Sequence, residues 1–397
     1  MRLKLLLPPV RPDAYEQPTA CPSEGCEGRR FRLRQQWPKP LRDTLLPAVV
    51  ARRYECLRCG HTFRIYPIGV SKAQTSARLR GLSVLLYLLG MSYGAASLTM
   101  EALSHPLGKT AVYYAVQAAG AKVAGLRRNA VRLQAGKSKV VAMGADLTSV
   151  KCAGEWLSVG VAVDAQDGVA LTVDILADAG AQTLTEWVRE VAEAVGAEVL
   201  VSDDADAFKT AADENGMEQQ VCKLHVLRNT EEWVEKMKPQ MAEDADGSLG
   251  EIGVTSEQAV ADCDELLRLM RERQPGSEAD GLLEAIHRRY IEAAPPKRDG
   301  DEKVGMTLAY RLRLFSLDRW NLWPRLTLYR TWQDTDGGRL DGTNNATERA
   351  IGWWIKERYR TMRGYKRQES VLNVSRLIAW TGSQLNTGGA NLALVIR

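Results

Sequence analysis

The stretch that decides the fold is Val140-Val-Ala-Met-Gly-Ala-Asp-Leu-Thr-Ser-Val150, near the middle of a chain of 397 residues. It is the first of several runs rich in apolar and β-branched residues that are separated by short turns, a pattern typical of strands. The elements predicted from it onward are strands at 140–150, 156–165 and 169–176, a helix at 182–195, a strand at 198–202, a helix from 205 and a short strand around 221. This order, β-β-β-α-β-α-β, predicts an antiparallel meander within a mixed α/β sheet flanked by helices.

Two acids occupy informative places in that order. Asp146 interrupts an apolar strand, and a buried carboxylate is costly unless it is paired or bound to a cation. Asp203 ends the fourth predicted strand, which is expected beside the first, so the two acids would share one end of neighbouring strands. They would repel each other unless a divalent ion neutralised them. Asp204 follows directly and is either the ligand itself or the cap of the next helix.

A third acid lies near the start of a late helix, after the loop Gly342-Thr-Asn-Asn345. Glu348 would be favoured there by the positive end of the helix dipole, although Asn followed by Glu is also an ordinary capping arrangement. We expect Asn344 and Asn345 to shape the helix start. Of the adjacent Trp353 and Trp354, at least one should point inward, since successive helical side chains diverge by about 100°.

Four cysteines near the N-terminus have the spacing of a zinc ribbon. Cys21 and Cys26 form one pair, and Cys56 and Cys59, followed by Gly60, form the other. Two such knuckles give four thiolates to one tetrahedral ion, so a single structural Zn²⁺ is predicted. The alternative is four unrelated buried cysteines.

The front of the chain is strongly basic. Residues 1–140 hold 23 Lys and Arg against 7 Asp and Glu, although the net charge of the whole chain is only +4. Arginines alternate with aromatic residues around the cysteine knuckles, which suits phosphate contact and base stacking. The sequence therefore predicts a DNA-binding front, with Arg52 and Arg53 among its contacts; a region that only stabilises the fold is the alternative.

Three short helices are predicted after the ribbon, at 78–89, 95–103 and 110–123, joined by glycine-bearing turns. They are typical of a helix-turn-helix whose third helix enters the major groove. Lys109, Thr110, Tyr113 and Gln117 would then face outward toward DNA. A helical bundle that only links domains is the other interpretation. Much later, residues 230–332 read as an all-α insertion, in which Trp320 and Trp323 are expected to be core residues.

Asp146, Asp203 and Glu348, on the first strand, the fourth strand and a late helix, resemble the catalytic triad of DDE transposases with a ribonuclease H-like core. The motifs that make the chain similar to the bacterial insertion-sequence and Mutator-like branch are Val201-Ser-Asp203, Cys222-Lys-Leu-His225 and Asn345-x-x-Glu348-Arg349. The resemblance implies that the three acids bind two Mg²⁺, with Mn²⁺ as a substitute. It also implies that Cys222 and His225 lie near the active site, although a buried thiol and a hydrogen-bonded histidine would explain them equally well. In that pattern Gly usually follows the second acid, where this chain has Asp204.

The function implied is a DNA transposase that cleaves transposon ends and transfers their 3′-OH to target double-stranded DNA, acting as a homodimer on paired ends. Such an enzyme is expected in the bacterial cytoplasm, associated with the nucleoid, and not in a membrane. Two alternatives remain: a domesticated zinc-ribbon regulator that binds DNA without catalysis, and a ribonuclease H-like nuclease. The cations expected to contact DNA phosphates beyond those of the front are Arg349, Lys356, Arg358, Arg363 and Lys366.

The predicted organisation has five parts. They are a zinc ribbon at 1–70, a helix-turn-helix and basic connector at 71–138, the first part of the ribonuclease H-like core at 139–238, the all-α insertion at 239–340 and the final core helices at 341–397.

Overall fold

The computed structural model describes residues 5–134, 140–272, 276–293, 306–335, 337–360, 364–386 and 389–396, and it shows a mixed α/β protein. The strands are β1 (Leu5–Leu6), β2 (Arg11–Tyr15), β3 (Phe31–Pro40), β4 (Ala48–Cys56), β5 (Thr62–Ile65), β6 (Pro67–Ile68), β7 (Ala142–Cys152), β8 (Glu155–Asp164), β9 (Ala170–Leu176), β10 (Val199–Ser202), β11 (Glu218–Val221) and β12 (Ala390–Asn391). The first nine helices are α1 (Ala77–Leu88), α2 (Tyr93–Ala102), α3 (Lys109–Gln134), α4 (Ala181–Val195), α5 (Asp206–Glu214), α6 (Lys223–Ala242), α7 (Ser248–Glu251), α8 (Ser256–Arg271) and α9 (Ser277–Ala293). They are followed by α10 (Leu308–Thr327), α11 (Asn345–Ile351), a π-helical turn (Gly352–Lys356), α12 (Glu357–Arg360) and α13 (Gln368–Asn386).

A five-stranded sheet forms the centre of the molecule, with the strand order β11-β10-β7-β8-β9. Strands β7, β8 and β9 form an antiparallel meander, and β10 runs parallel to both β7 and β11. All four residues of β10 are buried, which is why that strand reads as a continuous apolar run. The predicted order of elements and the placement of the fourth strand beside the first are both confirmed. The assignment of this sheet to the ribonuclease H fold stays a prediction.

Helices cover both faces of the sheet. On one face α4 and α5 bury Leu184, Trp187 and Phe208 against Met143 and Leu200. On the other face α3 and α13 pack over β8 and β9 in a larger core, whose members include Val116, Val123, Val161, Val374 and Leu377. The sheet is therefore a rigid middle layer, and side chains at its strand ends are held in fixed positions.

The three helices that follow the ribbon occur as predicted, but the third is longer and packs differently. Helix α3 continues to Gln134 and lies against α13. Lys109 and Thr110 are exposed, as expected. The outward orientation predicted for Tyr113 and Gln117 is wrong: the Tyr113 hydroxyl lies 3.3 Å from the Ser370 hydroxyl, and Gln117 accepts a hydrogen bond from Asn373. The helix buries this face because its neighbour is the final helix of the chain.

Helices α3 and α13 approach closely at Gly120. A Cβ atom there would lie 2.1 Å from the backbone oxygen of Asn373, which a side-chain rotation cannot move away. We expect Gly120→Ala to lower the free energy of unfolding in urea by about 3 kcal/mol, the upper end for overpacking. Gly281→Ala in α9 is the matched control: its Cβ would meet nothing within 4 Å, so the substitution should be neutral or stabilise by up to about 1 kcal/mol. Equal effects of the two variants would contradict the close contact.

Helices α6 to α10 form a separate helical core around Val234, Met237, Leu266 and Phe315. The expectation that Trp320 and Trp323 are core residues is confirmed, since Trp323 is buried and Trp320 packs against the same core. Several arginines of this region make contacts within the protein: Arg319 with Thr230, Arg325 with Asp213 and Arg330 with Asp280. Within the described ranges, no helix has the length and apolarity required to span a membrane.

Candidate active site and zinc centre

The first two acids lie side by side because of the register of two parallel strands. Strand β10 pairs with β7 so that Val201 is opposite Gly144. Continuing that register by two residues brings Asp203 level with Asp146, at the point where β10 ends. The relation expected between these two acids therefore follows directly from the observed pairing.

The third acid is held against the same strand by Asn344. Its side-chain amide donates to the backbone oxygen of Ala145 at 3.0 Å, and its side-chain oxygen accepts from the Thr347 hydroxyl at 2.5 Å. Both residues are buried, and Gly144 leaves the space they need, since a Cβ there would lie 2.3 Å from Oγ1 of Thr347. Asn344 begins α11 through its carbonyl, which accepts from the Glu348 N–H at 3.0 Å, while its side chain ties the helix to β7. This link holds the start of α11, and with it Glu348, against the strand that carries Asp146.

The three acids act on one another electrostatically. The pKa of Asp146 is raised to about 6, chiefly by burial and in part by the negative charges of Asp203 and Glu348, against the lowering effects of the Leu147 N–H and of His225. A carboxyl group with a raised pKa beside two other carboxylates is the arrangement that a bound divalent cation stabilises. The donor set consists of carboxylate oxygens, which suits Mg²⁺.

The neighbouring Asp204 has another partner. Its carboxylate forms an ion pair with Nζ of Lys209 at 2.8 Å, whereas Asp203 accepts a hydrogen bond from the backbone N–H of Ala205 at 3.2 Å. The charge of Asp203 also helps to raise the pKa of Asp146. These contacts favour Asp203 over Asp204 as the second ligand, and Asp204 does not cap α5, which begins after Ala205.

Cys222 and His225 meet Glu348 at this site. The Cys222 thiol lies immediately before α6 and points at Oε1 of Glu348, with a sulfur–oxygen distance of 3.8 Å. Nδ1 of His225, in the first turn of α6, is 3.4 Å from the same oxygen. The spacing of Cys222 and His225 predicts that they lie near each other on a helix. It does not predict their contact with Glu348, which is 126 positions after Cys222 in the sequence.

The four N-terminal cysteines converge, as their spacing predicted. The Sγ atoms of Cys21 and Cys59 are 3.7 Å apart, those of Cys26 and Cys56 are 3.9 Å apart, and all four lie within 4.8 Å of one another. A tetrahedral Zn²⁺ with bonds of about 2.3 Å requires sulfur separations of about 3.8 Å. The backbone N–H of Cys59 lowers the pKa of the Cys56 thiol to about 7, which favours the thiolate that zinc binds. The group is consistent with a zinc ribbon carried on β3, β4 and β5.

The predicted DNA contacts have different surroundings. The ones that are exposed are Arg53, Lys109, Thr110, Arg349, Lys356 and Lys366. Arg52 is half-buried, with its guanidinium 3.7 Å from the centre of the Tyr15 ring. Arg363 lies outside the described residues.

Arg358 is a correction to the predicted phosphate contacts. It is buried, donates to the backbone oxygen of Met91 at 2.7 Å and stacks on Tyr87, 3.9 Å from the ring centre. The guanidinium of Arg358 connects α12 to the helices after the ribbon, so it is not available to contact DNA phosphates.

The adjacent tryptophans lie in the π-helical turn that follows α11. Trp353 is 75% exposed, and the side chain of Trp354 is outside the described part of the chain. A π-helical turn in a helix often marks a functional site. The exposed indole of Trp353 is therefore available for stacking on a base.

Residues 171–363 match the model of the transposase IS66 family. The match supports the resemblance to transposases of insertion sequences and, with it, a role that involves DNA; the DDE motif and the Mutator-like branch stay predictions. The matched segment contains Asp203, Cys222, His225 and Glu348, while Asp146 and the N-terminal front precede it. No curated protein matches the chain.

The link from Asn344 to β7 can be tested separately from the acids. Asn344→Ala leaves a buried carbonyl without its partner, costing about 1–3 kcal/mol, and frees α11 to shift. Since a misplacement of about 1 Å can cost about a hundredfold in rate, we expect DNA nicking in Mg²⁺ to fall by about that factor. Asn345→Ala is the matched control, because its side chain is not part of this link. A wild-type rate in Asn344→Ala would show that Glu348 is positioned without it.

The raised pKa of Asp146 has a consequence for stability in metal-free buffer. Its folded-state pKa of about 6 exceeds the ordinary value of 3.8, so the stability it contributes is full below pH 3.8 and is lost as the pH rises through 6. Asp146→Asn, which cannot ionise, should therefore raise the melting temperature by a few degrees at pH 8, and the gain should shrink toward pH 4. Asp204→Asn loses its ion pair with Lys209 and should lower the melting temperature instead. A gain in Asp146→Asn that does not vary with pH would contradict this assignment.

Proposed function

We propose that this protein binds the ends of an insertion sequence, hydrolyses a phosphodiester bond at each end, and joins the freed 3′-OH to target DNA. The observation that carries the proposal is that the charges of Asp203, at the end of β10, and of Glu348, on α11, both act on Asp146 of β7. The family match to transposases supports the same conclusion.

Two Mg²⁺ ions held by these three carboxylates would supply a nucleophilic water at neutral pH and stabilise the leaving 3′ oxygen. The protein's part is to fix the carboxylates. Asp146 is held within a ten-residue ladder between β7 and β8, and Asn344 fixes the helix that carries Glu348. These contacts fix the two elements that carry Asp146 and Glu348, which lowers the cost of arranging the carboxylates around the ions.

DNA binding is assigned to exposed cations on two parts of the chain. Arg349 and Lys356 follow Glu348 on the same helical segment and would contact phosphates beside the reacting strand. Arg53, Lys109 and Thr110 belong to the basic front, which would hold the DNA end further from the chemistry. We propose a homodimer on paired ends, since each end then has its own catalytic cluster.

The test uses the full chain with a duplex carrying a terminal inverted repeat of its insertion sequence, a supercoiled target plasmid, and Mg²⁺. We expect nicks at the repeat boundary and labelled ends joined to plasmid, with Mn²⁺ replacing Mg²⁺. Binding without any nicking would overturn the proposal in favour of a DNA-binding regulator. Nicking without joined product would overturn it in favour of a nuclease.

A further inference from the structure

The proposed chemistry uses Glu348 but leaves Cys222 and His225 without a role. Both side chains approach a single oxygen of that carboxylate, and one potential ligand atom from each of the three residues lies within 4.8 Å of the others. Cys222 is buried, and the other two residues are half-buried. The group is thus a compact cluster with three different donor atoms.

The distances are close to those between ligands of one metal ion, and the contact of Cys222 with Glu348 is also within reach of a weak S–H···O hydrogen bond. Ligands at about 2.3 Å for sulfur, 2.0–2.1 Å for imidazole nitrogen and 2.0–2.2 Å for carboxylate oxygen, in a tetrahedron, are separated by about 3.6 Å (S to O) and 3.4 Å (N to O). The observed separations are 3.8 Å from Sγ of Cys222 and 3.4 Å from Nδ1 of His225 to Oε1 of Glu348. Only small side-chain movements would bring all three atoms into ligand positions.

A purely orienting role for His225 explains the contact less well. Its Nδ1 atom is buried and makes no hydrogen bond to any residue that the structure describes, although Glu348 lies beside it. A histidine that positions a carboxylate is expected to donate to it within normal hydrogen-bond geometry. The unpartnered nitrogen leaves a place for a ligand between the two side chains.

We propose that Cys222, His225 and Glu348 form a binding site for a thiophilic divalent ion of the zinc class, with an exchangeable fourth position. A thiolate and an imidazole select Zn²⁺ or Co²⁺ over Mg²⁺, which prefers oxygen ligands alone. Since Glu348 is also a proposed Mg²⁺ ligand, an ion bound here removes that carboxylate from the catalytic cluster and inhibits DNA cleavage. The inhibitory part rests on the proposed function, whereas the binding part does not.

Metal content of the full chain tests the binding part. After dialysis against Zn²⁺ with excess Mg²⁺, the wild-type protein should retain two zinc ions per chain, one in the cysteine ribbon and one at this site. Cys222→Ser and His225→Ala should each retain one, and Cys263→Ser, which removes a buried cysteine of the helical core, should retain two. With Co²⁺, the thiolate charge-transfer absorption should be weaker in Cys222→Ser than in Cys263→Ser. Circular dichroism checks that each variant is folded; two zinc ions retained by a folded Cys222→Ser would overturn the site.

Zinc titration of Mg²⁺-dependent nicking tests the inhibitory part. For each protein, the zinc concentration at half-inhibition is compared with that protein's own rate without zinc. We expect Cys222→Ser to need a zinc concentration at least about tenfold higher than wild type for half-inhibition. Loss of a residue that only supports a ligand already lowers metal affinity by about tenfold or more, and loss of the ligand itself should cost at least as much. Equal sensitivity would overturn the inhibitory part. A wild-type protein that holds two zinc ions but never nicks DNA would overturn the proposed function and leave the metal site standing.

Discussion

Glu348→Gln and Asp146→Asn should each lower the rate of Mg²⁺-dependent nicking of insertion-sequence ends by about a thousandfold. Metal-bound water and a metal-stabilised leaving group together supply several kcal/mol of transition-state stabilisation, and about 1.4 kcal/mol corresponds to a factor of ten. Either substitution keeps the shape of the side chain but removes the charge that holds the ions. The rate is measured on a pre-labelled duplex in single-turnover conditions.

Asp204→Asn is the matched control for this prediction. It removes the same charge one residue from Asp203, but from a carboxylate that is paired with Lys209. We expect nicking within a few-fold of wild type, whereas Asp203→Asn should match the two inactive variants. Gel-shift affinity for the DNA end should change little in all four proteins, because the binding cations are intact. If Asp204→Asn were inactive and Asp203→Asn active, the second ligand would be Asp204.

Cys56→Ser should release the ribbon's zinc and unfold the region that contains β3, β4 and β5. Structural zinc contributes about 10–16 kcal/mol in small zinc domains, far more than the sparse apolar core between these strands can replace. The core around Val10, Leu41 and Val49 is small, and most side chains of β3 are exposed or half-buried. We expect one zinc ion fewer per chain, rapid proteolysis within residues 21–65, and at least tenfold weaker binding to DNA ends.

The matched control for the ribbon is Cys263→Ser, a buried cysteine outside any group of four. It should keep its zinc and its protease resistance. The catalytic cluster lies on other elements, so Cys56→Ser should still nick a DNA end supplied at saturating concentration. Full zinc retention in Cys56→Ser would mean that the four sulfurs do not form the site.

Much of the central sheet could be predicted from the sequence because its strands are buried on both faces. Such strands read as uninterrupted apolar runs, and the acids at 146 and 203 stand out against them. The four cysteines of the ribbon and the helix start before Glu348 can be predicted as well, because residues at fixed short spacings mark both. All of these features are determined by residues that are close together along the chain.

The errors came from contacts between distant segments. Arg358 lies in a run of cations that predicts an exposed surface, yet Tyr87 and the Met91 carbonyl bury it. Tyr113 has the helical position of a DNA contact, but Ser370 occupies the space in front of it. No local pattern could show either contact, because the partners are more than 250 residues away along the chain.

The hydrogen bond from Asn344 to Ala145 joins a late segment of the chain to an early strand, so it forms only after most of the protein has been synthesised. The segment that carries Glu348 is made after the central sheet and the whole helical region, 145 positions beyond Asp203. At about 5–20 residues per second, a ribosome needs on the order of 10 s to cover that distance. Throughout this interval the nascent chain has its ribbon and its first two acids but not the third. On the proposed function, fragments released by premature termination within the helical region would bind DNA ends through the basic front without being able to cut them.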